Sequence, residues 1–236
     1  MNLARALTEG VGSWLHFEYA CDRSGLFSEK YLTPPIGQVL HARLGSRALA
    51  EHRHPVLAPL MRGSGRRPEV DFVVFGEYPR IKVAVESKWV GDRTASVKAI
   101  LWDLVRLEMI AHEDGAECFF VLGGKKLNLA ALFSNAQFSG SVTPRRRPLL
   151  ETQHNGQHKV HLVPVVPNRI AILRDIFADY QDWSFPHYIV ARRSAPFPVP
   201  IPLSQYQVYT WKISSPENRQ TFKPRNSFHY VAPGPH

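Results

Sequence analysis

The segment Ile81-Lys82-Val83-Ala84-Val85-Glu86-Ser87-Lys88-Trp89 is the most informative part of this chain. Its β-branched residues and its alternation predict a strand, with Glu86 and Lys88 on one face and the branched apolar side chains on the other. A second strand is predicted at Val70–Phe75, and residues 76–80 are predicted to form the turn between them. The two segments therefore predict a β-hairpin that carries a carboxylate and an amine side by side.

Helices are predicted where apolar residues recur every three or four positions. They cover residues 3–21, a segment that starts at the cap Ser28 and ends at Gly45 or near His54, residues 96–113, and a segment that begins after a cap at Asn168. Further strands are predicted at 118–122, 159–166, 188–191 and 205–211. This order predicts an α/β protein with a mixed central sheet and helices on both sides.

Charge and proline content divide the chain near residue 143. Residues 1–143 contain 17 basic residues, 15 acidic residues and 6 prolines, whereas residues 144–236 contain 12 basic residues, 5 acidic residues and 13 prolines. We interpret 1–143 as an α/β core and 144–236 as a basic, proline-rich α+β extension, either an appendage or a part of the same sheet. The net charge of +9 favours an anionic partner such as nucleic acid.

Composition excludes several classes of protein. With 44 % hydrophobic and 21 % charged residues, the chain resembles ordinary globular proteins. Cys21 and Cys118 cannot form a disulfide framework and lack the spacing of a metal site. The N-terminal residues do not read as a signal peptide, and no apolar run reaches the roughly 18 residues of a membrane helix. The expected location is the cytoplasm, with no membrane partner.

Asp71 lies in the first strand of the predicted hairpin, where strand pairing can bring it opposite Glu86. Carboxylates bind hard cations such as Mg²⁺ or Mn²⁺ through oxygen, and such an ion activates water and neutralises charge on a phosphate. Asp71 and Glu86 are therefore candidate metal ligands, with the Ser87 carbonyl completing the shell. Lys88 would orient or deprotonate the water, or stabilise the pentacovalent phosphorane.

This arrangement resembles the PD-(D/E)XK nuclease superfamily, whose pattern is an acidic residue on one strand and (D/E)-x-K on the next. Here these elements are Asp71 and Glu86-Ser87-Lys88, within a resemblance that spans residues 28–122. The proline of the pattern stands three positions upstream, at Pro68. The family often adds a glutamate on the preceding helix, for which Glu29 is the candidate and Glu18 a competitor.

The resemblance implies a restriction-endonuclease-like core and a Mg²⁺-dependent nuclease that acts on DNA. It also implies that the protein can act as a homodimer, as many such nucleases do.

Basic residues outside the motif are candidate nucleic-acid contacts. Lys98, in the first turn of the helix predicted at 96–113, lies near the motif. Trp102 and Arg106 follow it at four-residue spacing and would either reach a phosphate or a base, or form a solvated face with the aromatic ring packed under the arginine. The run Arg145-Arg146-Arg147 would either grip a phosphate backbone or form a solvated linker.

Three interpretations of the whole chain remain open. The first is a nuclease. The second is a catalytically inactive nucleic-acid- or protein-binding module built on the same fold. The third is a different α/β protein in which Glu86 and Lys88 form a structural strand pair. A position of Asp71 on the far side of the sheet from Glu86 would exclude the nuclease.

Overall fold

The computed structural model of the protein describes residues 2–45, 48–60, 67–91, 96–142, 145–198 and 205–230. Its α-helices are α1 (Leu3–Ala20), α2 (Thr33–Leu44), α3 (Leu57–Leu60), α4 (Val97–Asp114), α5 (Lys126–Ser134), α6 (Ala136–Ser139) and α7 (Ile170–Phe177). Short 3₁₀ turns occur at Ser24–Leu26, Lys30–Leu32, Pro167–Arg169, Ala178–Tyr180 and Pro224–Asn226. No helix in these ranges is long and apolar enough to cross a membrane.

The strands form one large sheet and two small ribbons. They are β1 (Ala48–Arg53), β2 (Glu69–Phe75), β3 (Ile81–Val90), β4 (Glu117–Lys125), β5 (Ser141–Val142), β6 (Arg145–Arg146), β7 (Gln157–His161), β8 (Phe185–Pro186), β9 (Tyr188–Arg193), β10 (Tyr206–Ser214) and β11 (Thr221–Phe222). The seven-stranded sheet has the order β1-β2-β3-β4-β10-β9-β7, and the pairs β5–β6 and β8–β11 stand apart from it.

The large sheet is mixed, as the sequence predicts. Strands β3 and β4 are parallel, and every other neighbouring pair in it is antiparallel. A parallel pair needs a crossover connection, which α4 supplies. Strands β7, β9 and β10 all come from residues after 143, and β10 pairs directly with β4. The proline-rich part of the chain therefore completes the same sheet.

Helices cover both faces of this sheet, which explains why β3 and β4 are apolar on both sides. Helices α1 and α2 pack on one face, against a group of side chains that includes Val83, Val85, Phe119, Val121 and Val208. Helix α4, with α5 to α7, packs on the other face, against a group that includes Ala84, Cys118, Phe120, Leu122 and Trp211. Glu86 and Lys88 of β3 lie on the α4 side.

Close packing explains the glycines of α1. The helical spacing of this segment is interrupted by Gly10 and Gly12 in the sequence, yet the helix runs through both without a break. A Cβ at Gly12 would lie 2.5 Å from Cδ1 of Phe197, and one at Gly10 would lie 2.5 Å from Cγ2 of Val39. These glycines therefore allow α1 to approach its neighbours rather than ending the helix.

Two helix starts differ from the prediction, and one strand of the large sheet was missed. Residues 30–32 form a 3₁₀ turn, so α2 begins at Thr33 rather than at Ser28. The Asn168 side chain donates to the carbonyl of Ala136 instead of capping α7. Strand β1 has little apolar alternation because it is an edge strand with mostly exposed side chains, and Gly45 ends α2 just before it, as predicted.

Candidate active site

Asp71 and Glu86 meet where the regular pairing of β2 with β3 stops. The register runs from Phe75–Ile81 to Phe72–Val85, so the next residues along the two strands are Asp71 and Glu86. Oδ2 of Asp71 accepts hydrogen bonds from the backbone N–H of Ser87, at 2.7 Å, and from its hydroxyl, at 2.8 Å. The Asp71 carboxylate is therefore fixed against Ser87, the residue that follows Glu86.

Glu86 is a buried carboxylate with an arginine partner. Its side chain is almost inaccessible to solvent, and its Oε1 pairs with the guanidinium of Arg106, which also donates to the carbonyl of Glu69. Burial raises the pKa of Glu86 well above its ordinary value, and the nearby carboxylates of Asp103 and Asp71 add to this effect, whereas Arg106 opposes it. The positive charge of Arg106 therefore does not fully compensate the burial of this carboxylate.

Lys88 lies between carboxylates from two other elements. Its Nζ is 3.0 Å from Oδ2 of Asp103 on α4, 3.0 Å from Oε1 of Glu29, and 3.1 Å from the carbonyl of Ser87. Burial by itself would lower the pKa of Lys88, but the charges of Asp103 and Glu29 outweigh it, so the pKa is raised. Lys88 is therefore a fixed positive charge at neutral pH.

Asp103 is a site residue that sequence reasoning missed. It is 3 % exposed, and its Oδ1 lies 3.5 Å from the guanidinium of Arg106. Burial raises its pKa to about 6, against the opposing charges of Lys88 and Arg106. A signal was present in the sequence, because Asp103 falls on the apolar stripe of α4 between Ile100 and Leu107, where a carboxylate needs a partner in the core.

The other candidate residues are distributed as follows. Glu29 reaches the site, whereas Glu18 is buried elsewhere with Arg23 and with the hydroxyl of Tyr31. Lys98 pairs with Asp175 of α7. The side chains of Arg145 and Arg146 lie outside the described part of the structure, and Arg147 is exposed.

Of the two alternatives for Trp102 and Arg106, the solvated face with the ring packed under the arginine is wrong, because the arginine turns away from the ring. Arg106 points into the sheet toward Glu86, and its side chain is only 13 % exposed. The ring of Trp102 stacks on that of Tyr180, with centroids 5.0 Å apart and planes at 21°. The segment after α7 covers this part of α4, and the sequence pattern of α4 alone contains no sign of it.

The metal ligands expected from the sequence are all oxygen donors. Within the described residues, no group of three or more His, Cys, Asp or Glu side chains is arranged to hold a metal ion. Mg²⁺ commonly uses one or two carboxylates and keeps several waters, so the residues that could hold it are Asp71 and Glu86, with the Ser87 carbonyl, which also accepts from Lys88. Buried carboxylates with raised pKa values gain most from such an ion, although Arg106 would compete for Glu86.

A cavity of about 410 Å³ opens beside this group. Asp71 and Arg106 line it, and they belong to the site described above. Its other walls come from both halves of the chain: Glu51, Arg67, Pro68, Glu69, Val70, Trp102 and Tyr180.

Comparisons with family models, curated proteins and solved structures find no match to this chain.

Proposed function

We propose that this protein is a metal-dependent nuclease that hydrolyses phosphodiester bonds of DNA. The observation that carries the proposal is the convergence of Asp71, Glu86 and Lys88 where β2, β3 and α4 meet. Two carboxylates and a lysine at one point are the groups that metal-assisted phosphodiester hydrolysis needs. Asp71 lines the same cavity as Arg106, the partner of Glu86, which supports a common site for the two carboxylates.

The order of elements also supports a restriction-endonuclease-like core. The chain runs through α2, the antiparallel strands β1, β2 and β3, the crossover helix α4 and the parallel strand β4. The acidic residue stands on β2 and the Glu86-Ser87-Lys88 triplet on β3, as in the PD-(D/E)XK pattern. Glu29, which the resemblance suggests as a third acid on the preceding helix, lies just before α2 and contacts Lys88.

The protein's own groups have separate tasks in this mechanism. Asp71, Glu86 and the Ser87 carbonyl would hold the Mg²⁺ or Mn²⁺, which supplies an activated water and neutralises charge on the phosphate. Lys88 keeps its proton, since its pKa is raised, so it acts as a positive charge toward the phosphorane rather than as a base. Asp103 and Glu29 hold the Lys88 ammonium in place.

The basic extension supports nucleic acid as the partner. Residues 144–236 carry most of the net positive charge, and strands β7, β9 and β10 join them to the sheet that carries the site. A basic surface raises the local concentration of a polyanion and makes binding depend steeply on salt. The proposed catalytic residues and the basic segment that would attract phosphate are thus joined by one sheet.

A second candidate, a catalytically inactive nucleic-acid- or protein-binding module, is favoured by one observation. Arg106 already pairs with Glu86, and Lys88 already pairs with Asp103. Two protein cations thereby supply part of the positive charge that a metal ion would bring. An inactive descendant of a nuclease would have this type of internally paired site.

The experiment is cleavage of plasmid and oligonucleotide DNA with Mg²⁺ or Mn²⁺. We expect Asp71→Asn, Glu86→Gln and Lys88→Met to lose about a hundredfold or more of the rate, since each removes charge that stabilises the transition state. Lys212→Met is the matched control for Lys88→Met, because Lys212 pairs with Glu117 at the surface. Equal rates in all variants would contradict the proposal, and DNA binding without cleavage would favour the binding module.

A further inference from the structure

The cavity beside Asp71 has an aromatic wall that phosphodiester hydrolysis does not require. Trp102 of α4 and Tyr180 form this wall as a stacked pair. Arg67, Arg106 and Asp71 also line the cavity. The volume of about 410 Å³ is at the lower end of the range of about 300–1,000 Å³ that is usual for small-molecule sites. A cavity of this size suits one nucleotide unit better than a duplex.

We propose that this cavity is a subsite for a single unpaired nucleobase of the substrate strand. The base lies against the Trp102–Tyr180 wall. The inference rests on the proposed nuclease function for its substrate, and it adds which form of nucleic acid the site takes. Every base has a flat π face, so an aromatic wall binds bases with little dependence on sequence.

The two aromatic rings differ in exposure from those of the core. Trp211 and Phe185 are fully buried, whereas Trp102 and Tyr180 are partly exposed and line open space. Trp102 precedes Arg106 by four residues, so both side chains leave the same face of α4 about one turn apart.

The carboxylates of the cavity argue for a base rather than for a free anion. Glu51, Glu69 and Asp71 all line it, and they would repel a bare phosphate. Carboxylates accept hydrogen bonds from the exocyclic amines of bases. The register of β1 with β2, with Ala50 opposite Phe72 and His52 opposite Val70, places Glu51 opposite Asp71. Glu51 has a φ of 51°, a left-handed conformation that is costly for a glutamate.

This subsite defines a substrate class. A base within a duplex is stacked and paired on both sides, so it cannot lie against the aromatic wall unless it leaves the helix, and that step has an energetic cost. A single strand, a flap or a frayed end presents its bases without this cost. The substrate is therefore a strand with at least one unpaired nucleotide next to the bond that is cleaved.

The test is binding of a single-stranded oligonucleotide that contains 2-aminopurine, measured by fluorescence in a buffer with a chelator. Without metal there is no cleavage, so the assay does not depend on the nuclease function. We expect Trp102→Leu, which keeps apolar volume but removes the ring, to weaken binding by about fivefold or more, the lower end of the contribution of one stacked base. Trp102→Phe should keep most of the affinity, and a duplex of the same sequence should bind all three proteins alike.

Tyr180→Leu and Tyr180→Phe form a second pair in case Trp102→Leu does not fold, and far-UV circular dichroism checks folding in each variant. If the leucine and phenylalanine variants bind the single strand equally well at both positions, the inference is wrong, whatever the cleavage assay gives. If the leucine variants lose single-strand binding while the wild type cleaves no DNA, the subsite stands and the proposed nuclease function fails.

Discussion

The guanidinium of Arg106 lies against the buried carboxylate of Glu86, so a side chain of α4 occupies an oxygen that the proposed metal ion would need. The same guanidinium donates to the carbonyl of Glu69, and its backbone carbonyl faces Nε2 of His54 at 3.1 Å. Arg106 therefore links α4, β2, β3 and the loop that follows β1. Its replacement affects both the stability of the fold and the charge of the site.

Arg106→Met should destabilise the protein by about 3–5 kcal/mol, because it leaves Glu86 buried without its partner. The double variant Glu86→Gln/Arg106→Met should recover much of this loss, since it removes the second buried charge as well. Denaturation in urea measures both effects. Arg5→Met is the matched control, since Arg5 and Glu9 form an exposed pair worth about 0.5 kcal/mol. A double variant no more stable than the single one would contradict this account.

Mg²⁺ or Mn²⁺ should raise the midpoint of thermal unfolding, because an ion that binds only the folded state stabilises it, by about 2.7 kcal/mol at a hundred times its Kd. Asp71→Asn should remove most of the metal-induced shift. Asp175→Asn should retain it, because Asp175 is an exposed partner of Lys98 on α7. A shift of the same size in Asp71→Asn and in the wild type would place the metal elsewhere.

Arg219→Met should cost about 3–5 kcal/mol of stability. Arg219 makes two hydrogen bonds, of 2.8 and 3.1 Å, to Glu108, which is fully buried on α4 and is also bound by Ser215. Removal of the arginine leaves that carboxylate uncompensated in the core. Arg225→Met, at the exposed pair with Asp182, should change stability by less than about 1 kcal/mol. Equal losses of stability in the two variants would show that the buried Arg219–Glu108 pair stabilises the fold no more than an exposed pair does.

His54 should make the protein less stable in mild acid. Burial lowers its pKa to about 3, and its Nδ1 accepts the N–H groups of Val56 and Leu57. Below pH 6.5 the His54 side chain of the unfolded protein binds a proton, whereas in the folded protein it stays neutral down to about pH 3. The free energy of unfolding therefore falls by up to about 1.4 kcal/mol per pH unit as the pH drops toward 3. His54→Asn should flatten this slope, measured by urea denaturation from pH 7 to pH 4, and His41→Gln, at an exposed position, should not.

The hairpin and the crossover helix, with Asp71, Glu86 and Lys88, could be predicted from the sequence because their signals are local, whereas Glu29 is suggested only by the resemblance to the PD-(D/E)XK pattern. Alternation fixes the faces of a strand, and the hairpin register then sets Asp71 beside Glu86. The partners of those residues could not be predicted in the same way. Asp103 meets Lys88 across a parallel crossover, so the pairing depends on how α4 lies on the sheet.

Arg106 illustrates the limit of helical patterns. With Trp102 one turn before it, the residue has the spacing of a solvated face, yet Tyr180 and the residues around it cover that side of α4. A periodic pattern distinguishes apolar from polar positions within one helix, but it gives no information about which other segment packs on the polar side. That segment comes from residues after 170, which the pattern of α4 cannot show.

The place of β4 in the middle of the sheet has a consequence for protein fragments. Its register with β10 pairs residues 118–125 with residues 206–213, and α1 packs on β10 as well as on β4. A fragment that ends at residue 143 would leave β4 as a long, bare, apolar edge, which is a template for aggregation. The two halves, produced separately, should be insoluble alone and should recover a folded protein only when they are refolded together.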